Sequence, residues 1–224
     1  MTTHDEKAKN YPFSRAGGIL LHPTCLPSIS GIGDIGKPAK KFIDLLKKYK
    51  QRLWQILPLG PTGYGESPYS CLSAFAGNPL LISFDHLREF GLLDKSDYVP
   101  DTPFNEHRVE YENVIPYKWS VLRKSYNTYK TRPDTDLELE FKKFEENNRY
   151  WLEDFVLYFA LKMAHNKVSW LDWPEAYRTR DPSALDKWRE KHLDEINFHR
   201  FIQFLFFKQW KEVKTYAHQC NIIV

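Results

Sequence analysis

The segment Gly60-Pro61-Thr62-Gly63-Tyr64-Gly65-Glu66-Ser67-Pro68-Tyr69 gathers the residues of this chain best suited to hold a ligand. Its glycines let backbone come close to a bound molecule. Tyr64 and Tyr69 offer ring faces, and Glu66 and Ser67 offer hydrogen-bonding groups. Sugars are bound by that mixture, with aromatic faces against C–H patches and short polar groups against hydroxyls. The plainer alternative is a tight loop whose tyrosines only cap the fold.

Other motifs carry less. Gly31-Ile32-Gly33-Asp34-Ile35-Gly36 matches G-x-G-x-x-G literally. A dinucleotide site needs those glycines in the turn directly after a strand, and an acid at the end of the next strand. Here Pro23 and Pro27 intervene, and the second apolar run ends in Leu57-Pro58-Leu59. A loop passing over a rim is the better reading. His22 follows the first apolar run and reads as a structural hydrogen-bonder. Asp172, between Trp170 and Trp173, reads with Trp188 and Trp210 as part of a core. No Ser/His/Asp or Cys/His arrangement emerges, and no spacing suits zinc.

Composition is that of a globular protein. Thirty-two basic residues against twenty-nine acidic give a net charge of +3 over 224 residues, and the basic residues form no stripe, which argues against nucleic acid. The apolar run Phe204-Leu205-Phe206-Phe207 is far short of the roughly 20 residues that span a bilayer, so no membrane partner is expected. Met1 to Asn10 is polar and lacks an apolar signal region. Cys25, Cys71 and Cys220 have neither an even count nor metal-ligand spacing. A reduced cytoplasmic protein is expected.

Three short apolar runs read as buried strands: Gly18-Ile19-Leu20-Leu21, Arg52-Leu53-Trp54-Gln55-Ile56-Leu57 and Ile222-Ile223-Val224. Between the first two, Pro38 opens a helix whose apolar stripe is predicted at Phe42, Leu45, Leu46 and Tyr49. Strand, helix, strand is a βαβ unit with parallel strands. The long stretch from the second run to the third is too much for one crossover. It reads as the Gly-rich loop, a short helix around Asp85 to Phe90, a Pro-punctuated stretch to Pro103, and then helices. Trp151, Phe155, Tyr158, Phe159 and Met163 form one stripe; Phe198, Phe201, Ile202, Leu205, Val213 and Tyr216 trace a long helix. The expectation is an α/β barrel or open sheet with a mostly helical insertion after strand two. A closed barrel needs eight strands and about 250 residues. Three are visible, so the chain reads as cut within its fold.

The residues also carry a family resemblance. Arg15-Ala16-Gly17-Gly18-Ile19-Leu20-Leu21-His22-Pro23-Thr24-Cys25-Leu26-Pro27 followed by Gly31 to Gly36 resembles the opening of 4-alpha-glucanotransferases (amylomaltase, or disproportionating enzyme). So does Trp54-Gln55-Ile56-Leu57-Pro58-Leu59-Gly60-Pro61-Thr62, running into Ser67-Pro68-Tyr69 and Ser73 to Ile82. Trp170-Leu171-Asp172-Trp173-Pro174 and Gln203-Phe204-Leu205-Phe206-Phe207-Lys208-Gln209-Trp210 fit as well. The likeness runs from about Arg15 to Val224.

What the resemblance implies is the N-terminal part of a (β/α)8 TIM barrel of the α-amylase type, incomplete here, with a largely helical insertion after strand two. The implied divisions are a polar tail (1–14), the barrel start (15–84), the helical insertion (85–193), and a long helix with the start of strand three (194–224). The implied reaction moves a segment of an α-1,4-glucan to the 4-hydroxyl of an acceptor glucose or glucan, through a retaining covalent glucosyl-enzyme. Its partners are α-1,4-glucans such as maltodextrins or pieces of glycogen and starch, and no metal or organic cofactor is implied. The family's catalytic carboxylates fall on later strands, so no residue here is assigned to catalysis. Ser67 and Tyr69 match donor-site residues, with Tyr69 against the sugar at the cleavage point. Tyr64 matches an aromatic position that holds longer glucans, and Glu66 stands beside it as a further substrate-binding candidate. The alternative is a non-catalytic truncated remnant that binds glucan weakly. Glucan length and oligomeric state stay open.

Overall fold

A computed structural model of the chain describes residues 15–132 and 134–224, and the polar tail expected at 1–14 lies outside them. Strand β1 (Gly18–Leu20) lies parallel to β2 (Leu53–Gln55), pairing Gly18 with Leu53, Ile19 with Trp54 and Leu20 with Gln55. On the far side of β2, Leu53 bridges in parallel to Ile223; Trp54 N donates to Ile223 O at 2.8 Å, and Ile223 N donates to Arg52 O at 2.8 Å. The three expected strands therefore lie side by side in chain order. They are shorter than expected, with β2 ending at Gln55 shortly before Pro58, which has no N–H to offer, and β1 is exposed along its length rather than buried. The third is a single bridge.

Helix α1 (Lys37–Lys48) joins the strands, with Pro38 in its first turn. Its stripe is turned from the expected one. Ala39, Ile43 and Leu46 are buried, whereas Leu45 and Tyr49 are exposed. The two stripes share Leu46 and the half-buried Phe42, which contacts the sheet, while the small Ala39 gives little hydrophobic signal although it is fully buried. Trp54 sets that contact, packing edge-on against Phe42 at 5.2 Å while its indole N–H donates to Leu21 O at 2.7 Å.

The glycine motif ahead of α1 is a packing device. A Cβ at Gly33 would run into the backbone of Pro23 and Leu26, and one at Gly36 into Ser83. Asp34 Oδ1 accepts from Gly36 N at 2.9 Å, so a buried side chain of the motif itself takes up this amide at the start of α1.

Beyond the loop come α2 (Phe84–Glu89) and three long helices: α3 (Tyr111–Thr131), α4 (Thr135–Ala164) and, after the short α5 (Glu175–Arg178) and α6 (Pro182–Lys191), α7 (Leu193–Gln219). Asp134 caps α4, accepting from Asp136 N at 2.9 Å and Leu137 N at 3.2 Å. Helices α4 and α7 pack along an aromatic seam in which Phe141 meets Phe204 at 5.2 Å and Phe144 meets Phe207 at 5.6 Å. The main core joins this seam to α1, α2, α3 and Trp54; a second core gathers Trp151, Phe155, Phe159, Trp173, Trp188 and Ile196. Trp173 and Trp188 are core as expected, but Trp170 is 48% exposed because it sits in a short 3-10 turn on the surface. No helix among the described residues is long and apolar enough to cross a membrane.

Candidate functional site

The ends of β1 and β2 meet through His22. Its Nδ1 lies 2.8 Å from Thr24 Oγ1 and accepts from Thr24 N, which leaves the proton on Nε2, 3.4 Å from Pro58 O. Burial holds its pKa below the usual histidine value, against the pull of the Pro58 carbonyl. His22 is a neutral tie between the two strand ends.

From that rim the chain runs out at Leu59 and returns at Asn78, whose N donates to Leu59 O at 2.7 Å. Between these neck residues the loop folds on itself. Leu72 N donates to Pro61 O at 2.8 Å, Gly63 N to Ser70 O at 2.9 Å, and Thr62 pairs antiparallel with Cys71. At its tip Gly65 has φ 76° and Glu66 φ 52°, two successive left-handed residues that turn the backbone sharply. The Glu66 carboxylate folds back to accept from the Thr62 hydroxyl.

This turn separates the four expected residues into two places. Tyr64 and Glu66 line a groove of about 480 Å³ between the loop and helices α3 and α4. Its opposite wall is Ile115 and Trp119 from α3 and Phe159 and Met163 from α4, with Lys167 and Ser169 at one end. Tyr64 is fully exposed on the groove's edge. Ser67 and Tyr69 are not among the groove residues. Ser67 Oγ instead accepts from Tyr69 N at 3.3 Å, which steadies a tyrosine that is 75% exposed.

The far wall was not assigned to a site from the sequence. Phe159 and Met163 belong to a stripe that reads as core, and both belong to or pack on the second core as well as facing the groove. Trp119 stacks on Phe159 at 5.9 Å, so its ring is fixed from behind. Lys162 closes the turn after α4, where Asn166 and Lys167 have φ of 54° and 61°, by donating to Lys167 O at 3.0 Å and Val168 O at 3.2 Å. Tyr111 stands near the loop, its pKa raised by burial and then by the Glu66 charge. The groove is thus aromatic on two sides with a few polar groups, which suits a neutral polyhydroxylated ligand. No group of acidic, histidine or cysteine side chains that could hold a metal occurs among the described residues.

Residues 21–224 match the family model described as 4-alpha-glucanotransferase. The chain belongs to the 4-alpha-glucanotransferase family. It is 47% identical over 210 residues to the 4-alpha-glucanotransferase of Synechocystis, covering 94% of this chain and 42% of that protein. To the Thermus thermophilus 4-alpha-glucanotransferase it is 41% identical over 208 residues, covering 93% of this chain and 41% of the relative. An amylomaltase from Streptococcus agalactiae, solved in complex with acarbose, superposes with a TM-score of 0.87 at 34% identity, over 93% of this chain and 42% of that one. The chain therefore spans about two fifths of the length of these 4-alpha-glucanotransferases.

Proposed function

We propose that this chain supplies glucan-binding surface to a 4-alpha-glucanotransferase acting on α-1,4-glucans. The observation that carries this reading is the groove between the Tyr64–Glu66 turn and the Trp119–Phe159 wall, two aromatic sides with polar groups between them. In it, Tyr64 stacks on a glucan strand and Glu66, oriented by Thr62, accepts from sugar hydroxyls. Tyr69 and Ser67, on the same loop but not among the groove residues, contact the glucan where it is cut.

Retaining transfer uses two carboxyl groups about 5–5.5 Å apart. Among the described residues Glu66 is the one carboxylate lining the groove, and it is committed to Thr62. That supports a binding role for these 224 residues, with the reacting carboxylates supplied from elsewhere. The chain-order sequence β1, β2, Ile223 supports the reading of residues 15–84 and 194–224 as the start of a (β/α)8 barrel and of 85–193 as its helical insertion.

Calorimetric titration with maltoheptaose and acarbose tests the reading, acarbose being the compound present in the S. agalactiae amylomaltase structure. Saturable binding by the wild-type chain, with no glucose released from maltotriose, is expected. Absence of binding to either sugar overturns the glucan reading. Conversion of maltotriose to glucose and longer maltodextrins by the pure chain overturns the division of labour.

A further inference from the structure

Two glutamines of α7 make the same unusual bond pattern. Gly77 N donates to Gln203 Oε1 at 2.8 Å, and Gln203 Nε2 donates to Gly77 O at 3.0 Å. Ser83 N donates to Gln209 Oε1 at 2.7 Å, and Gln209 Nε2 donates to Ser83 O at 3.1 Å. Each carboxamide thus satisfies both backbone groups of one residue, as a neighbouring strand would. Both side chains are buried, so no water can take over these bonds. The two clamps differ in what they hold. Ser83 is the residue directly before α2 and makes no side-chain capping bond of its own. Gly77 is next to Asn78, whose N–H closes the loop neck on Leu59.

We infer that Gln203 is a positioning residue for the glucan loop, fixing its returning leg to α7 and so setting where Tyr64 and Tyr69 stand. The inference rests on the reading of that loop as glucan-binding. Inside the loop, the bonds of Pro61 with Leu72 and of Gly63 with Ser70 link the loop only to itself. They keep its shape but cannot fix its place on the body. Leu72 and Ala76 on the second core and Phe75 against Tyr150 and Trp151 pack the loop's returning leg on α4, and Gln203 is the side chain that hydrogen-bonds its neck to α7.

The pair of glutamines supplies its own control. In the full 224-residue chain, Gln203→Glu keeps the acceptor for Gly77 N but turns a second oxygen toward Gly77 O. When that buried carboxyl is protonated, its O–H restores the lost donor. Q203E is therefore expected to bind maltoheptaose about tenfold more weakly than wild type at pH 8, one decade being about 1.4 kcal/mol, and close to wild type at pH 5. Q209E carries the same chemical change at the other clamp and is expected to bind like wild type at both values. Amide exchange read by NMR without sugar gives a second readout: the neck amides of Gly77 and Asn78 exchange faster in Q203E than in Q209E at pH 8, and the difference closes at pH 5. Equal exchange at these amides in the two variants, or matched losses of affinity in both, overturns the inference. If the wild-type chain binds no glucan while the exchange difference persists, the glucan reading has failed and the positioning of the loop has not.

Discussion

Gly77 lies against the ring of Phe206, so close that a β-carbon on residue 77 would fall within the ring. The same residue is gripped through both backbone groups by Gln203, one turn away on α7. Neither side can retreat, because Phe206 is buried in the main core and packs edge-on to Phe207 at 5.2 Å. Gly77→Ala is expected to cost about 1–3 kcal/mol by overpacking, read as a lower urea midpoint at unchanged slope. Trimming the ring in Gly77→Ala/Phe206→Leu should cost less than the sum of the two single changes, since the clash is shared. Full additivity would show that the clash is not what destabilises the alanine variant.

Lys118 gives the chain a stability term that depends on alkaline pH. Its ammonium is completely buried on α3, donates to Ile82 O at 2.8 Å and lies 4.2 Å from the centre of the Phe84 ring. Burial lowers its pKa from 10.5 to about 8, with the buried Asp34 charge pulling the other way. The unfolded chain keeps the proton up to its ordinary value while the folded chain releases it near 8. Between those values the unfolded state binds more protons, so stability rises with pH. Tyr98 and Tyr126, pushed up to about 12 mainly by burial, reverse the trend only above their ordinary value of 10. The urea midpoint of the wild-type chain should therefore climb from pH 7.5 to 9.5. Lys118→Met should start lower, losing the bond to Ile82 O, but should be flat across that interval. A parallel climb in both proteins would assign the effect to another group.

Phe201 is the hub of the aromatic seam. It stacks on Tyr129 at 4.4 Å and meets Phe141 at 5.6 Å and Tyr126 at 5.7 Å, joining α3, α4 and α7. Phe201→Ala is expected to cost about 3–5 kcal/mol, the usual range for a buried ring lost without collapse of its site. Tyr150→Ala, on the exposed face of α4, should change the same denaturation midpoint far less. A cost for Phe201→Ala no greater than that of Tyr150→Ala would mean that the three helices do not depend on this contact.

Sheet order and the long helix α7 were legible because their signals are local: an apolar run closed by Pro23, another closed by Pro58, and a sustained 3.6-residue period from Phe198 to Tyr216. The facing of α1 was not legible. Leu45 and Tyr49 look like core residues by type yet are exposed, and the face that packs is the one that carries the small Ala39 with Ile43 and Leu46. Helix α3 falls in the stretch after Pro103 that reads as helices, but no stripe was assigned to it; Pro116 lies inside it. Of the candidate site, the loop could be read from its residue types. The wall opposite could not, because Trp119 and Phe159 come from two helices whose meeting depends on the α4–α7 seam. The glutamine clamps were invisible for the same reason: Gln203 and Gly77 are 126 residues apart.

Of the two exposed tyrosines of the loop only Tyr64 lines the groove, and on the proposed glucan reading that difference has a consequence for chain length. Tyr64 lines the groove with Trp119 and Phe159, whereas Tyr69 does not. A short sugar seated at Tyr69 leaves the groove empty, while a longer one can occupy both. An exposed tyrosine stacked on a sugar contributes on the order of 1 kcal/mol, which is about a fivefold change in affinity. Tyr69→Ala should weaken maltotriose and maltoheptaose binding alike. Tyr64→Ala should weaken maltoheptaose by about that factor and leave maltotriose unchanged. Titrations of both variants with both sugars decide the matter: equal losses for Tyr64→Ala on the short and long sugars would place Tyr64 and Tyr69 in one subsite, and the groove would then have no part in holding a longer glucan.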